Sequence, residues 1–245
     1  MFAIFNRKPF LRDFIPPGHT DFHSHLLPGI DDGAASFEDT RTIITRLMSF
    51  GCSRFIATPH VMNNVWENTR ESIEETLQST RTALTAAGIS IPLNAAAEYL
   101  IDDHFVKLYT TNQLRTLKDN YVLVEMSYLN PPIQLYQILF DVQVAGYIPV
   151  LAHPERYIFF HNNFPEYQKL KNAGCLFQLN LLSTVGYYGV EVAAVASKLL
   201  NAGMIDFAGS DVHHENHLEA FEKRIVIKNG ASISAALKNN SVFSF

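Results

Sequence analysis

The chain has 245 residues, a formal net charge of −5, 47% hydrophobic and 18% charged residues, the balance of a folded domain with a sizeable core. No basic stripe offsets the acidic balance, which excludes a general nucleic-acid binder. The length suits one barrel-sized domain over residues 19–245, preceded by an N-terminal extension over 1–18.

That extension, MFAIFNRKPFLRDFIPPG, has too short an apolar run before Arg7 and Lys8 for a signal peptide. No stretch approaches membrane-spanning length, and cytoplasmic residence is the expectation. Phe2, Ile4, Phe5, Arg7 and Lys8 could touch a membrane surface, but docking on the domain is expected of so short a segment. Cys52 and Cys175 lie in apolar runs without a CxxC partner and read as buried thiols in a reducing compartment.

From residue 19 onward, short β-rich runs alternate with helical patterns, which predicts βα units around a parallel sheet. HTDFHSH reads as the first strand. A helix opens at Ser36, Glu38 and Asp39, carries Ile43, Ile44 and Leu47, and stops at Gly51. RFIATPH is the second strand, an amphipathic helix follows from Glu67 to about Ala87, and ISIPLNAAAEY is the third strand. Residues 104–120 read as a short helix or loop before YVLVEMS, the fourth strand. Pro131 and Pro132 introduce a helix over 133–145, and YIPVLAHP is the fifth strand. A helix over 165–173 leads to CLFQLNL, and one over 189–202 to MIDFAGSDVH, the sixth and seventh strands. The terminal ASISAALKNNSVFSF reads as a closing helix with an apolar tail.

The strand ends carry one recurring kind of residue. His23 and His25 end the first, His60 the second, Glu98 the third, Glu125 the fourth, His153 the fifth and Asn180 the sixth; Asp211 and His213 follow the seventh. In a parallel barrel all these ends open on one face, so the groups form a single site. Imidazole with carboxylate is a ligand set for manganese, zinc or iron. Any one of these residues alone reads better as a satisfied buried polar group, but their repetition at equivalent positions outweighs that reading. Glu98, after three alanines, is costly to bury without a cation nearby. Asp31 reads as a turn residue after Pro28-Gly29. His19, His104 and His161 read as surface or loop histidines, and His214 and His217 lie close enough to the site to matter.

DFHSHLLPGIDDGA, ATPH, AAAEY, VLVEMS, LAHPERY and GSDVHH together resemble the polymerase and histidinol phosphatase (PHP) family of metal-dependent phosphoesterases, over residues 21–214. HSHLLPGIDDGA and AHPERY are most similar to its branch of bacterial tyrosine phosphatases encoded with capsule and exopolysaccharide genes. The resemblance implies a distorted (β/α)7 TIM-like barrel holding three ions, usually manganese, with zinc or iron as alternatives. It places His23, His25, Glu98 and Asp211 on one ion. Glu98, Glu125 and His153 would hold the second, and Asp32, His60 and His213 the third. It makes Asp21 an orienting neighbour of a ligand histidine and Arg156 the clamp on the phosphate, while the acid is a metal-bound water or a histidine of the 213–217 cluster, with His214 the candidate.

Members of that branch use two arginines near the phosphate, whereas HENHLEAFEKR after His213 offers none at the comparable place, which leaves substitution by His214 or His217, or a more weakly held phosphate. The implied activity is hydrolysis of protein phosphotyrosine by a metal-activated hydroxide. The implied partner is the tyrosine-rich tail of a membrane tyrosine kinase, and homo-oligomerisation stays open. Three rival readings are a phosphatase for histidinol phosphate or a sugar phosphate, a non-catalytic kinase-binding regulator, and an amidohydrolase. The acidic ends of strands three and four weigh against the last. A cysteine-nucleophile mechanism is excluded, because the positions six residues after Cys52 and Cys175 are Thr58 and Leu181, not arginine.

Overall fold

The computed structural model describes residues 8–245. Among them, nine short parallel strands occupy seven positions around a distorted (β/α)7 barrel. β1 (His19–Asp21), β2 (Cys52–Ala57) and β4 (Leu93–Ala95) form one sheet in the order β1-β2-β4. β3 (His60–Val61), β5 (Glu98–Leu100), β6 (Tyr121–Glu125), β7 (Ile148–Ala152), β8 (Leu176–Asn180) and β9 (Phe207–Gly209) form the other, in that order.

The second and third predicted strands are each broken in two, at Thr58-Pro59 and at Ala96-Ala97. Proline has no N–H for a ladder, yet the two chains stay adjacent across the break. Ala96 donates to the Ala57 carbonyl at 2.8 Å and Glu98 to that of Pro59 at 3.0 Å. Closure between β9 and β1 rests on Asp211 N–H to His23 O at 2.8 Å and His25 N–H to Val212 O at 3.0 Å.

Period-two alternation separates two apolar layers. Ile56, Leu123, Val150, Ala152 and Phe207 point into the barrel, while Phe55, Ala57, Val122, Val124 and Leu151 meet the helices outside. The interior is closed at one end by Phe22, Phe207 and Phe243, whose ring centroids lie 4.3–5.8 Å apart. The apolar tail after the last helix, α8 (Gly230–Asn239), is therefore part of the barrel core. At about 1.5–3 kcal/mol for a fully buried large apolar side chain, Phe243 contributes as much as any strand residue.

The remaining helices are α1 (Phe37–Phe50), α2 (Arg70–Ala86), α3 (Asp103–Thr110), α4 (Leu135–Val144), α5 (Phe164–Asn172), α6 (Val190–Asn201) and α7 (Glu215–Phe221). α1 starts on the Ser36/Asp39 capping box and ends at Gly51, whose φ of 123° few other residues adopt. α2 begins three residues later than its amphipathic pattern suggests, because Thr69 caps it through the Ser72 amide.

The described part of the N-terminal extension docks on the domain: Leu11 is fully buried and donates to Lys223 O at 2.9 Å, and Ile225 donates to Pro9 O at 3.1 Å. Phe2, Ile4, Phe5 and Arg7 lie outside the described residues. No helix among the described residues is long and apolar enough to cross a membrane. Cys52 and Cys175 are buried free thiols.

Candidate metal centre

The inward faces of the strands carry the site one step beyond the core. Ala96 and Leu123 line the interior, and Glu98 and Glu125, two residues further along their strands, occupy the same face at the carboxyl end. Parallel pairing sets His60 opposite Glu98. His153, just after β7, and Asp211, two residues after β9, lie in the left-handed region, with φ of 36° and 50°. Glycine adopts this conformation freely, whereas other residues are strained in it by about 1–3 kcal/mol. Such strain persists where the surrounding structure holds a side chain to a task.

The Glu98 carboxylate is the hub. Its Oε2 lies 3.2 Å from His23 Nε2, 3.5 Å from His25 Nε2 and 3.3 Å from His60 Nδ1, and its Oε1 lies 3.1 Å from His153 Nε2. Asp211 Oδ1 stands 3.2 Å from His23 Nε2 and 3.3 Å from His25 Nε2. Donors about 2.1 Å from a common ion are separated by roughly 3.0 Å in an octahedron and 3.4 Å in a tetrahedron. All the observed separations fall in that range except His25–Glu98, which lies just above it. His23 Nε2, His25 Nε2, both Glu98 oxygens and Asp211 Oδ1 are buried yet make no hydrogen bond, as expected of atoms that face a cation.

Eight of the nine expected ligands fall into three groups able to hold an ion: His23, His25, Glu98 and Asp211; His60, Glu98 and Glu125; and His25, Asp32, His60 and His213. The first matches the expected set. In the second, His60 Nδ1 stands 3.0 Å from Glu125 Oε1, where His153 is the expected member; His153 meets Glu98 alone. In the third, Asp32 Oδ1 lies 3.5 Å from His60 Nε2 and 3.6 Å from His213 Nε2.

The electrostatics are those of ligands competing with protons. Burial opposes charge on His23, but Glu98 and Asp211 outweigh it and carry the imidazole up to about 10. Burial also opposes charge on Glu98 and Asp211, and the facing histidines nevertheless hold both well below the usual carboxylate range. Burial, and then the neighbouring His25, bring His213 down to about 4.

Three neighbours are assigned differently from the sequence reading. Asp31 is a turn residue, its Oδ1 accepting the Gly33 amide at 2.9 Å, but it is also buried, with its Oδ2 2.7 Å from His25 Nδ1. Gly33 has to be glycine, since a Cβ there would meet His25 O at 2.3 Å. Among the described residues the Asp21 carboxylate makes no hydrogen bond to a histidine ring, meeting His23 only through its main chain. It accepts the Ser210 amide at 3.1 Å and the Ser210 hydroxyl at 2.5 Å, and so ties β1 to the end of β9. The neighbour that orients His23 is Gln178, whose Oε1 lies 2.9 Å from His23 Nδ1 and accepts the His153 amide at 3.3 Å. Gln178 had a signal in the sequence, a polar residue on the inner face of an otherwise apolar strand. His19 is likewise buried, which lowers it to about 4.

The HPERY motif resolves residue by residue. His153 faces Glu98. The fully buried Glu155 accepts the Asn180 amide at 2.9 Å and the Ser183 hydroxyl at 2.7 Å. The Tyr157 hydroxyl accepts the Met126 amide at 2.9 Å and donates to Ala152 O at 3.2 Å, joining β6 to β7. Arg156 enters a cavity of about 330 Å³ above the ligands. Its Nη1 donates to Asp211 Oδ2 at 2.9 Å, and its guanidinium lies 4.1 Å from the Tyr188 ring centroid and 4.9 Å from that of Tyr128. Among the described residues no other arginine lines the cavity; beyond His213 the wall is made by His214 and His217, with Trp66 also on the lining.

Residues 19–225 match the model of the family described as capsular polysaccharide synthesis, CpsB/CapC. The chain belongs to the CpsB/CapC family. The tyrosine-protein phosphatase YwqE of Bacillus subtilis is 31% identical over 79% of this chain and 77% of its own length. CpsB of Streptococcus pneumoniae, also a tyrosine-protein phosphatase, is 26% identical over 79% of this chain and 82% of its own. A crystal structure from work on these two metal-dependent tyrosine phosphatases superposes with a TM-score of 0.76 at 28% identity, covering 87% of this chain and 84% of that one.

Proposed function

We propose that this CpsB/CapC protein hydrolyses protein phosphotyrosine with bound metal ions. The observation that carries the reading is the ring of buried, unbonded donor atoms around Glu98, with Arg156 in the cavity directly above. His23, His25, Asp32, His60, Glu98, Glu125, His153, Asp211 and His213 are the residues that would hold a three-ion cluster, manganese first, with zinc or iron as alternatives. Bound there, the ions supply Lewis-acid charge for the phosphoryl oxygens and lower the pKa of an attacking water.

The chain's own groups divide the remaining work. Arg156 spends one N–H on Asp211 and keeps the rest of its fork for phosphoryl oxygens. Tyr128 and Tyr188 hold the guanidinium between their rings and give the cavity flat apolar walls suited to an aryl ester. A phenolate, with a parent pKa of about 10, leaves more easily than an alkoxide and needs less help from an acid. The exposed His214 stands at the rim as the candidate for that help. The likeness to YwqE and CpsB supports a protein substrate, for which we propose the tyrosine-rich tail of a membrane kinase reached from the cytoplasm. The two buried free thiols support a reducing compartment.

Turnover of a phosphotyrosine peptide and of histidinol phosphate, each with manganese, zinc, iron or magnesium and with metal content measured on the same samples, tests the reading. Preference for the peptide, lost on chelation and restored by metal, is the expected result. A strong preference for histidinol phosphate would overturn it.

A further inference from the structure

His217 sits in the first turn of α7, buried to 7% exposure, on the wall of the cavity that also holds Arg156 and Asp211. The backbone N–H of His213 points at its Nδ1, 3.2 Å away. A main-chain amide can only donate, so Nδ1 carries the lone pair and the ring proton is on Nε2. The ring plane is held in place by Tyr187, edge-on at 4.9 Å and 89°, and by His214 at 4.0 Å. The main-chain N–H of His217 is already taken up by His214 O at 3.0 Å. Among the described residues no side chain accepts from Nε2–H; the ring lines the cavity wall, with the Asp211 carbonyl also close to it.

We infer that His217 is a neutral second donor to the phosphoryl group, acting with Arg156 on both a phosphomonoester substrate and the inorganic phosphate product. A tetrahedral phosphate offers more acceptor oxygens than one guanidinium, already committed in part to Asp211, can cover. An uncharged donor adds orientation without adding the full attraction of a second cation, so it holds the phosphate while leaving the product easier to release. The inference goes beyond the phosphatase reading and rests on it only for the ester; binding of free phosphate stands apart from it.

The test uses the full-length, manganese-loaded protein. His217→Leu removes both functions of the ring, whereas in His217→Gln the side-chain oxygen can accept from His213 and the amide can still donate. Calorimetric titration with inorganic phosphate should show about tenfold weaker binding for His217→Leu and no more than about threefold for His217→Gln. Bound metal should be unchanged in both, and KM for a phosphotyrosine peptide should move with the phosphate affinity. In the wild-type protein loaded with diamagnetic zinc, ¹⁵N–¹H correlation of the His217 ring should show the Nε2–H tautomer, with its signal shifting on addition of phosphate. This readout needs no stable variant. Unchanged phosphate affinity in His217→Leu, equal losses in both variants, or an Nδ1–H ring indifferent to phosphate would each overturn the assignment. If phosphate binds as expected but the peptide is not hydrolysed, the phosphatase reading fails and the assignment of His217 stands.

Discussion

Asp31 Oδ2 lies 2.7 Å from His25 Nδ1 and also accepts the main-chain N–H of His60 at 3.2 Å, so one carboxylate fixes two residues of the candidate metal centre from behind. His25 presents Nε2 to Glu98 and Asp211 because its Nδ1 is engaged by Asp31. Burial works against a charged Asp31, but the His25 contact and the Gly33 amide bring it down to about 2. Asp31→Asn should weaken metal binding by about 10- to 100-fold. Asp32→Ala, which removes a half-exposed oxygen facing His60 and His213, should instead lower the number of ions bound and leave those at Glu98 in place. Metal titration followed by elemental analysis separates the two outcomes.

Gln178 makes the equivalent connection for His23 and His153. Gln178→Leu should cost metal affinity on the same scale, while Tm of the metal-free protein changes little. Gly209→Ala reaches the same residues sterically, since its Cβ would lie 2.7 Å from Gln178 Nε2 and 2.7 Å from His23 Cβ. Overpacking of this kind costs about 1–3 kcal/mol, or a Tm lower by several degrees for a domain of this size. Thermal unfolding with and without metal reads both effects.

Asp21 makes stability depend on pH in a definite direction. Burial raises it to about 6 from 3.8, against the opposing hydrogen bonds from Ser210. A carboxyl whose folded value lies above its unfolded one stabilises the fold on the acid side, and that contribution is lost as pH rises through about 6. A shift of this size corresponds to about 3 kcal/mol. In metal-free protein, Asp21→Asn should gain on wild type as pH goes from about 4 to 8. Denaturant unfolding across that range checks it, and a difference independent of pH would contradict the assignment.

Neither thiol should matter to catalysis. Burial pushes Cys175 up to about 12 and Cys52 well above the usual range, so neither is a thiolate at neutral pH. Cys52→Ser and Cys175→Ser should keep turnover of a phosphotyrosine peptide within about twofold, and a chelator should abolish it. Loss of activity in Cys175→Ser with metal intact would be fatal to the metal-dependent mechanism.

The strand ends were legible in the sequence because a polar residue stands out at the end of an apolar run, as at Glu98 after Ala95, Ala96 and Ala97. Asp31 and Asp32 were not separable that way. Adjacent aspartates after a turn have the same local chemistry, and which one is buried depends on where the Ala34 N–H meets the His25 carbonyl, a contact at 3.0 Å across the loop. Gln178 was overlooked because an uncharged amide in a strand resembles a tolerated polar residue until its Oε1 is placed against His23. The breaks at Pro59 and Ala96 were hidden for a related reason. The hydrophobic pattern runs straight through them, and only the change of hydrogen-bonded neighbour divides one strand into two.

The left-handed backbones at His153 and Asp211 set two kinds of selection against each other. Their side chains serve the site, but their main-chain angles suit glycine, and to a lesser degree asparagine. A library of this protein screened for survival of heat alone, with no demand for metal, should drift towards His153→Gly and Asp211→Gly or Asp211→Asn. The winners would be sturdier barrels and inert ones.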